Sequence, residues 1–218
     1  MTRHILLAGS TGLIGRSVGL QLGQRPDIEL ISLVRNGSNA SGHPIDFEQL
    51  CAAPEATLMP VAPDGVDVAI SCLGTTIRTA GSQPAMFRVD HDYVLAIAKG
   101  AKALGARQFI LVSSVSAGGA GFYLRTKGAI ERAVTQLGIE RVDIIRPGFL
   151  LGQRGETRVL ETVAQHVLAT LSPILPGRFS RYGTIPAQEV SEAIVQLAGR
   201  MEPGRHVYQN ADLHRLSK

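Results

Sequence analysis

Apolar residues along this chain gather in short, almost unbroken runs, and between the runs they recur every three or four positions. The runs His4–Ala8, Glu29–Val34, Val66–Cys72, Gln108–Ser113 and Val142–Arg146 read as strands. Several are nearly all apolar, as parallel strands covered on both faces require. The helical period appears over Leu13–Gln24, Met86–Leu104, Tyr123–Leu137, Val159–Leu171 and Gln188–Ala198, followed by a short strand near His206–Tyr208. Such alternation predicts an α/β fold with a doubly wound parallel sheet, helices on both faces and right-handed crossovers. The third strand has two short candidates in a Pro- and Gly-rich stretch, Ile45–Phe47 and Thr57–Val61, of which the first is slightly favoured. Asn36–Gly42 reads as a surface loop and Ala117–Gly121 as a flexible one. No internal repeat or linker interrupts the pattern, so residues 1–218 are expected to form one domain.

Composition narrows the classes. With 44% hydrophobic and 18% charged residues in 218, the chain can fill a core and is not disordered. The 24 glycines follow no triplet period, which excludes collagen. A formal charge of +4 invites a nucleic-acid surface, but the arginines are scattered and form no basic run. Aromatics are 5% and tryptophan is absent, a poor supply for base stacking, so no nucleic-acid partner is expected. Cys51 and Cys72 have neither metal-ligand spacing nor a disulfide framework, which points to a reducing, cytoplasmic setting. No apolar run reaches the ~18 residues of a membrane span. Arg3 and His4 before Ile5–Ala8 imitate a signal peptide, but the apolar stretch stops at Gly9 and reads as a strand entering a glycine turn.

That turn, Gly9-Ser10-Thr11-Gly12-Leu13-Ile14-Gly15, stands between a predicted strand and a predicted helix. Gly9 would permit a tight turn, Gly12 close approach of a pyrophosphate and Gly15 close helix–sheet packing. The helix N-terminus would offer its free N–H groups and positive dipole end to the phosphates. No G-K-[ST] follows, so a nucleotide-hydrolysing loop is not indicated. At the end of the second strand Arg35 stands where a carboxylate would accept from the ribose of NAD. A guanidinium there suits a 2′-phosphate, so NADP(H) is preferred over NAD(H). Asn36 and Ser38 can add donors, and Asp46 can meet the adenine amino group if Ile45–Phe47 is the third strand.

Tyr123 and Lys127, four apart, share a helix face and follow Ser113-Ser114 at a strand tip. A phenol with its ordinary pKa near ~10 exchanges protons poorly at neutral pH, and a neighbouring cation stabilises its phenolate. Ser114 is placed to hold a substrate oxygen beside it.

Together the glycine turn, the serines, Tyr123 and Lys127 resemble the short-chain dehydrogenase/reductase superfamily. Cys72-Leu73-Gly74-Thr75-Thr76, Phe87-Arg88-Val89-Asp90-His91-Asp92-Tyr93-Val94 and Tyr123–Gly128 are similar to the Tat-interacting-protein oxidoreductase family, atypical members with a shortened C-terminal region. The likeness runs from residue 3 to about residue 200, and it implies a Rossmann-type fold and NADP(H) binding. By the resemblance Gly9, Ser10, Thr11, Gly12, Leu13, Ile14 and Gly15 surround the pyrophosphate and Arg35 the 2′-phosphate. Leu73, Gly74 and Thr75 then line the riboses, Lys127 binds the nicotinamide ribose, and Pro147 with Gly148 lies against the nicotinamide. Tyr123 is implied as the general acid/base and Ser114 as the residue that orients substrate.

Only eight residues separate Ser114 from Tyr123, fewer than is usual in the superfamily, which leaves Ser113 and Ser116 as alternatives. The loop's Gly118, Gly119 and Gly121 suggest that it orders when substrate binds. Cys72 reads as buried and structural, and His91 and His166 lack partners at metal spacing, so no metal is expected. Arg78, Arg154 and Arg181 are candidates to anchor an acidic substrate. The expected function is hydride transfer to or from a small carbonyl or alcohol, by a monomer or homodimer with no membrane partner. Substrate-side elements fall mainly in 149–218. The alternatives are an NAD(P)H-binding regulatory or interaction module and, behind it, a nucleotide-sugar epimerase, for which the 70 residues after Gly148 leave little room.

Overall fold

The computed structural model describes residues 2–151 and 183–218. The expected helix Val159–Leu171, with Arg154, His166 and Arg181, lies outside the described residues. In chain order the elements are β1 (Arg3–Ala8), α1 (Leu13–Gly23), β2 (Ile28–Arg35), β3 (His43–Ile45), α2 (Phe47–Ala52), α3 (Pro54–Leu58) and β4 (Val68–Ser71). Then come α4 (Ile77–Ala80), α5 (Gln83–Phe87), a π-helical turn (Arg88–Tyr93), α6 (Val94–Ala103), β5 (Gln108–Val112), α7 (Phe122–Thr135) and β6 (Arg141–Ile145). The chain closes with β7 (Phe149–Leu151), β8 (Thr184–Pro186), α8 (Ala187–Leu197), β9 (Gly204–Tyr208) and α9 (Asn210–Leu216).

Seven strands form one parallel sheet in the order β3-β2-β1-β4-β5-β6-β9. The order reverses between β1 and β4, so the carboxyl ends of those strands open a crevice at the topological switch point, where ligands bind in such sheets. The strands are apolar on both faces, and their alternation sorts the core into two layers. Leu6, Ala8, Leu33, Ala69, Phe109, Leu111 and Ile144 pack with Leu50, Leu58, Ile97, Ile130 and Val134 beneath α2, α3, α6 and α7. Ile5, Leu7, Val68, Ile70, Ile110 and Ile145 pack with Val18, Leu22, Val190, Ile194 and Leu213 beneath α1, α8 and α9.

The third strand is His43–Ile45, which overlaps the favoured candidate only at Ile45. Asp46 ends it by capping α2, its Oδ1 accepting from the Glu48 and Gln49 amides at 2.8 and 3.2 Å, so Phe47 is helical. Pro44 is tolerated because β3 is an edge strand. Thr57–Val61 is the end of α3 and the turn after it. The single helix expected over Met86–Leu104 is broken in register by the π turn. A separate pair, β7 with β8, stands beyond the main sheet.

Candidate functional site

β1 runs directly into the glycine turn. Gly9 takes φ +86°, and a Cβ there would lie 2.6 Å from the Cys72 carbonyl carbon. Gly15 is packed still closer, since a Cβ would stand 2.1 Å from the Gly9 oxygen. Gly12 differs. It is an extended N-cap with φ −78°, and a Cβ would meet only the Gly9 oxygen, at 3.3 Å. The protein's own packing therefore demands a glycine there far less than at Gly9 or Gly15, and the backbone is open to close approach of a ligand. No side chain caps α1, whose first backbone bond runs from Arg16 N–H to Gly12 O at 3.0 Å. The Ser10 Oγ beside it is buried with no hydrogen-bond partner among the described residues. A helix end with free donors and an orphaned hydroxyl fits a pyrophosphate.

Arg35 is exposed at the end of β2 and makes no ion pair among the described residues. Asp46, expected to reach adenine, has one carboxylate oxygen committed to capping α2.

Past β4, Thr75 N–H donates to Asp90 Oδ2 at 2.8 Å. The other oxygen of Asp90 lies 2.8 Å from Lys127 Nζ, with the two side chains 0% and 4% exposed. Lys127 Nζ stands 5.9 Å from the centre of the Tyr123 ring and next to Gly74, where a Cβ would sit 3.7 Å away. Burial disfavours the ammonium most, but the Asp90 carboxylate, helped by Tyr123 and Glu131, outweighs it and holds Lys127 above the usual lysine range. The pair is thus a true cation beside a phenol.

The serine pair divides by role. Ser113 is buried and donates to Glu131 Oε1 at 2.6 Å. Glu131, 3% exposed, also receives Arg146 Nε at 2.9 Å and Arg146 Nη2, with Arg205 Nη2 at 3.5 Å. Those bonds hold the Arg146 guanidinium above its ordinary range. Ser114 is half-buried, and among the described residues its hydroxyl donates to the Val115 carbonyl, at 3.2 Å.

The loop expected to wait for substrate is already tied down. Val115 N–H reaches Pro147 O at 3.0 Å, Gly118 N–H reaches Leu124 O at 2.7 Å, and Ala117 and Gly119 close turns onto Ser114 and Ser116. A Cβ on Gly128 would lie 2.5 Å from Gly118 Cα, so Gly128 lets the loop pack closely on α7, while Gly118 and Gly121 take positive φ of +88° and +93°. Pro147 is buried, and Gly148 N–H donates to Asn210 Oδ1 at 2.8 Å. Asp90, Glu131 and Asn210 are the residues that sequence reasoning missed. The buried position of three polar residues on otherwise amphipathic helices was their only signal.

Cys72 is half-buried and unpaired, and burial of its thiol pushes it up to about 12, which disfavours the reactive thiolate. His91 pairs with Asp92 at 2.9 Å and stacks on Phe87, and no metal-binding cluster occurs among the described residues. Arg78 is exposed on α4 without an ion pair among the described residues. A cavity of about 260 Å³ at the amino ends of the strands, lined by Arg3, Asp67, Arg107, Glu140 and Arg141, lies at the far end of the sheet from the glycine turn.

A family model described as NAD(P)H-binding matches residues 9–199. The "Protein fmp52, mitochondrial" of Emericella nidulans is 34% identical over 182 residues, 78% of this chain and 77% of that protein. "Protein HTATIP2" of Rattus norvegicus is 39% identical over 136 residues, 62% of this chain and 53% of that protein. Among solved structures, the human epimerase family protein SDR39U1 (isoform 2) with NADPH superposes with a TM-score of 0.62 over 94% of this chain and 74% of that one. At 17% identity that is a likeness of fold. The fungal relatives are named mitochondrial, which overturns the cytoplasmic expectation. Two unpaired cysteines indicate a reducing setting without singling out the cytosol. No helix among the described residues is long and apolar enough to cross a membrane.

Proposed function

The chain belongs to the NAD(P)H-binding family and is an atypical short-chain dehydrogenase/reductase resembling HTATIP2, and from that premise we propose an NADP(H)-dependent oxidoreductase acting on a small carbonyl or alcohol. The observation that carries the reading is the buried, charged Lys127 beside the Tyr123 ring, at the same end of the sheet as a glycine turn whose Gly12 is far less crowded than Gly9 and Gly15. Ser10 Oγ and the first-turn amides of α1 receive the pyrophosphate, and Arg35 receives the 2′-phosphate. Leu73, Gly74 and Thr75 line the riboses, Lys127 donates to the nicotinamide ribose, and Pro147 backs the ring. When bound, the nicotinamide supplies or accepts the hydride.

The chain's own residues manage the oxygen. Ser114 and Tyr123 hydrogen-bond the substrate oxygen, and Ser114 is preferred over Ser113 because Glu131 already engages the latter. In the reductive direction the Tyr123 hydroxyl gives its proton to the oxygen as the carbon gains hydride. Lys127 stabilises the phenolate left behind.

Titration of the purified chain with NADPH, followed by nucleotide fluorescence, is expected to saturate, and absence of a saturable signal refutes the reading. Arg35→Ala is expected to weaken NADPH binding about tenfold to a hundredfold, as loss of charge-assisted hydrogen bonds would, and to leave NADH binding unchanged. Equal losses for both nucleotides would remove the preference for NADP(H). Tyr123→Phe should keep NADPH affinity and lower turnover of an accepted carbonyl about 10²–10⁴-fold. Unchanged turnover would show that this hydroxyl does not move the proton.

A further inference from the structure

The π turn at Arg88–Tyr93 places one carboxylate where an α-helical register would not. Such wide turns are rare and concentrate at functional sites. Here it turns Asp90 wholly inward while its neighbours stay half-buried, Asp92 pairing with His91 at 2.9 Å and with Arg88 at 3.3 Å. Both oxygens of Asp90 are used across elements distant in sequence, one at the Lys127 ammonium on α7 and one at the Thr75 amide after β4.

We propose that Asp90 is the positioning residue of this site: its carboxylate clamps the Lys127 ammonium and the Thr75 amide together, so the cofactor-lining loop and the Tyr123–Lys127 pair are held as one unit with an internal counter-ion. The kinetic consequence rests on the functional reading above, whereas the clamp belongs to the folded chain alone. The charged and titratable groups acting on Lys127 are Asp90 from the π turn and Tyr123 and Glu131 from α7. The loop after β4 brings Gly74 and the Thr75 amide to the pair. Asp90 is thus the chief charge that keeps a fully buried ammonium protonated.

With Asp90 present, the folded-state pKa of Lys127 lies above its ordinary value, so the ammonium persists through the neutral range. In Asp90→Asn, burial is opposed only by the weaker pull of Glu131 and Tyr123, and the amine loses its proton at lower pH. NADPH affinity and turnover then fall as pH rises, because a neutral amine donates more weakly to the ribose and no longer stabilises the phenolate.

The chain has only Lys99, Lys102, Lys127 and Lys218, so side-chain NMR of isotope-labelled lysine resolves Lys127 without any nucleotide. The Lys127 signal, assigned by its loss in Lys127→Met, is expected to stay protonated beyond the ordinary lysine range in the native chain and to titrate at lower pH in Asp90→Asn. An unshifted titration overturns the proposal. In parallel, NADPH affinity of Asp90→Asn should drop about tenfold between pH 7 and pH 9, while the native value stays flat. The double variant Asp90→Asn/Lys127→Met should lose that pH dependence, and its persistence there would overturn the proposal by assigning the effect to another group. Should Asp90→Asn fail to fold where the double variant folds, the uncompensated ammonium is the cause and the clamp is supported. If the native chain binds no NADPH, the functional reading fails while the lysine titration still decides the clamp.

Discussion

Gly15→Ala is expected to abolish dinucleotide binding and lower the melting temperature, whereas Gly12→Ala should keep the fold and lose binding alone. The contrast comes from what each added methyl meets. At Gly15 it would stand 2.1 Å from the Gly9 oxygen and 2.7 Å from the Gly9 carbonyl carbon. Both are backbone atoms of a turn already held at φ +86° against Cys72, so relief requires α1 to lift off the sheet. Overpacking of this kind costs roughly 1–3 kcal/mol and sometimes more, or several degrees of melting temperature in a chain of this size. At Gly12 the backbone is extended and the contact, 3.3 Å, needs a few tenths of an ångström of give. A methyl there occupies the approach of the pyrophosphate instead. Thermal melting beside NADPH titration separates the two, and native-like affinity in either variant would remove the glycine turn from the binding site.

Glu131→Ala is expected to cost about 3 kcal/mol of stability and to lower turnover as well. Glu131 is buried and collects Ser113, Arg146 and Arg205, so its removal leaves a guanidinium and a hydroxyl without their acceptor. Breaking a buried pair by deleting one partner costs roughly 3–5 kcal/mol. The lower end applies because the Arg146 side chain is 22% exposed and recovers some hydration. Glu131→Gln should cost less, since an amide oxygen still accepts from Ser113. The same bonds fix the tip of β5 and the residue before Pro147, two walls of the site, so turnover falls with stability. Urea unfolding with an unchanged slope and a lowered midpoint would show the loss as one of stability. A loss below about 1 kcal/mol would mean that the network contributes little.

Most of the sheet was legible along the chain, because a parallel strand buried on both faces must be apolar at every position. His4–Ala8 and Gln108–Ser113 announce themselves in that way. His43–Ile45 does not, being an edge strand of three residues that includes a proline. The glycine turn was readable because Gly9 and Gly15 answer local demands of a tight turn and a close helix. The loop between Ser114 and Tyr123 misled, since small residues signal freedom in sequence whereas here they allow Gly118 to lie against Gly128. The cytoplasmic expectation failed for a related reason, since unpaired cysteines indicate redox chemistry and carry no address.

Composition and periodicity determined by themselves the parallel α/β sheet, the glycine turn, Arg35 at the end of β2 and the spacing of Tyr123 and Lys127. Each depends on neighbours in the chain or on a repeat of two or 3.6 residues. Tertiary structure alone decided which serine is engaged and what stands opposite the lysine. Ser113 meets Glu131 and Lys127 meets Asp90 across separations of 18 and 37 residues, and a buried charge is stable only where the fold delivers its partner.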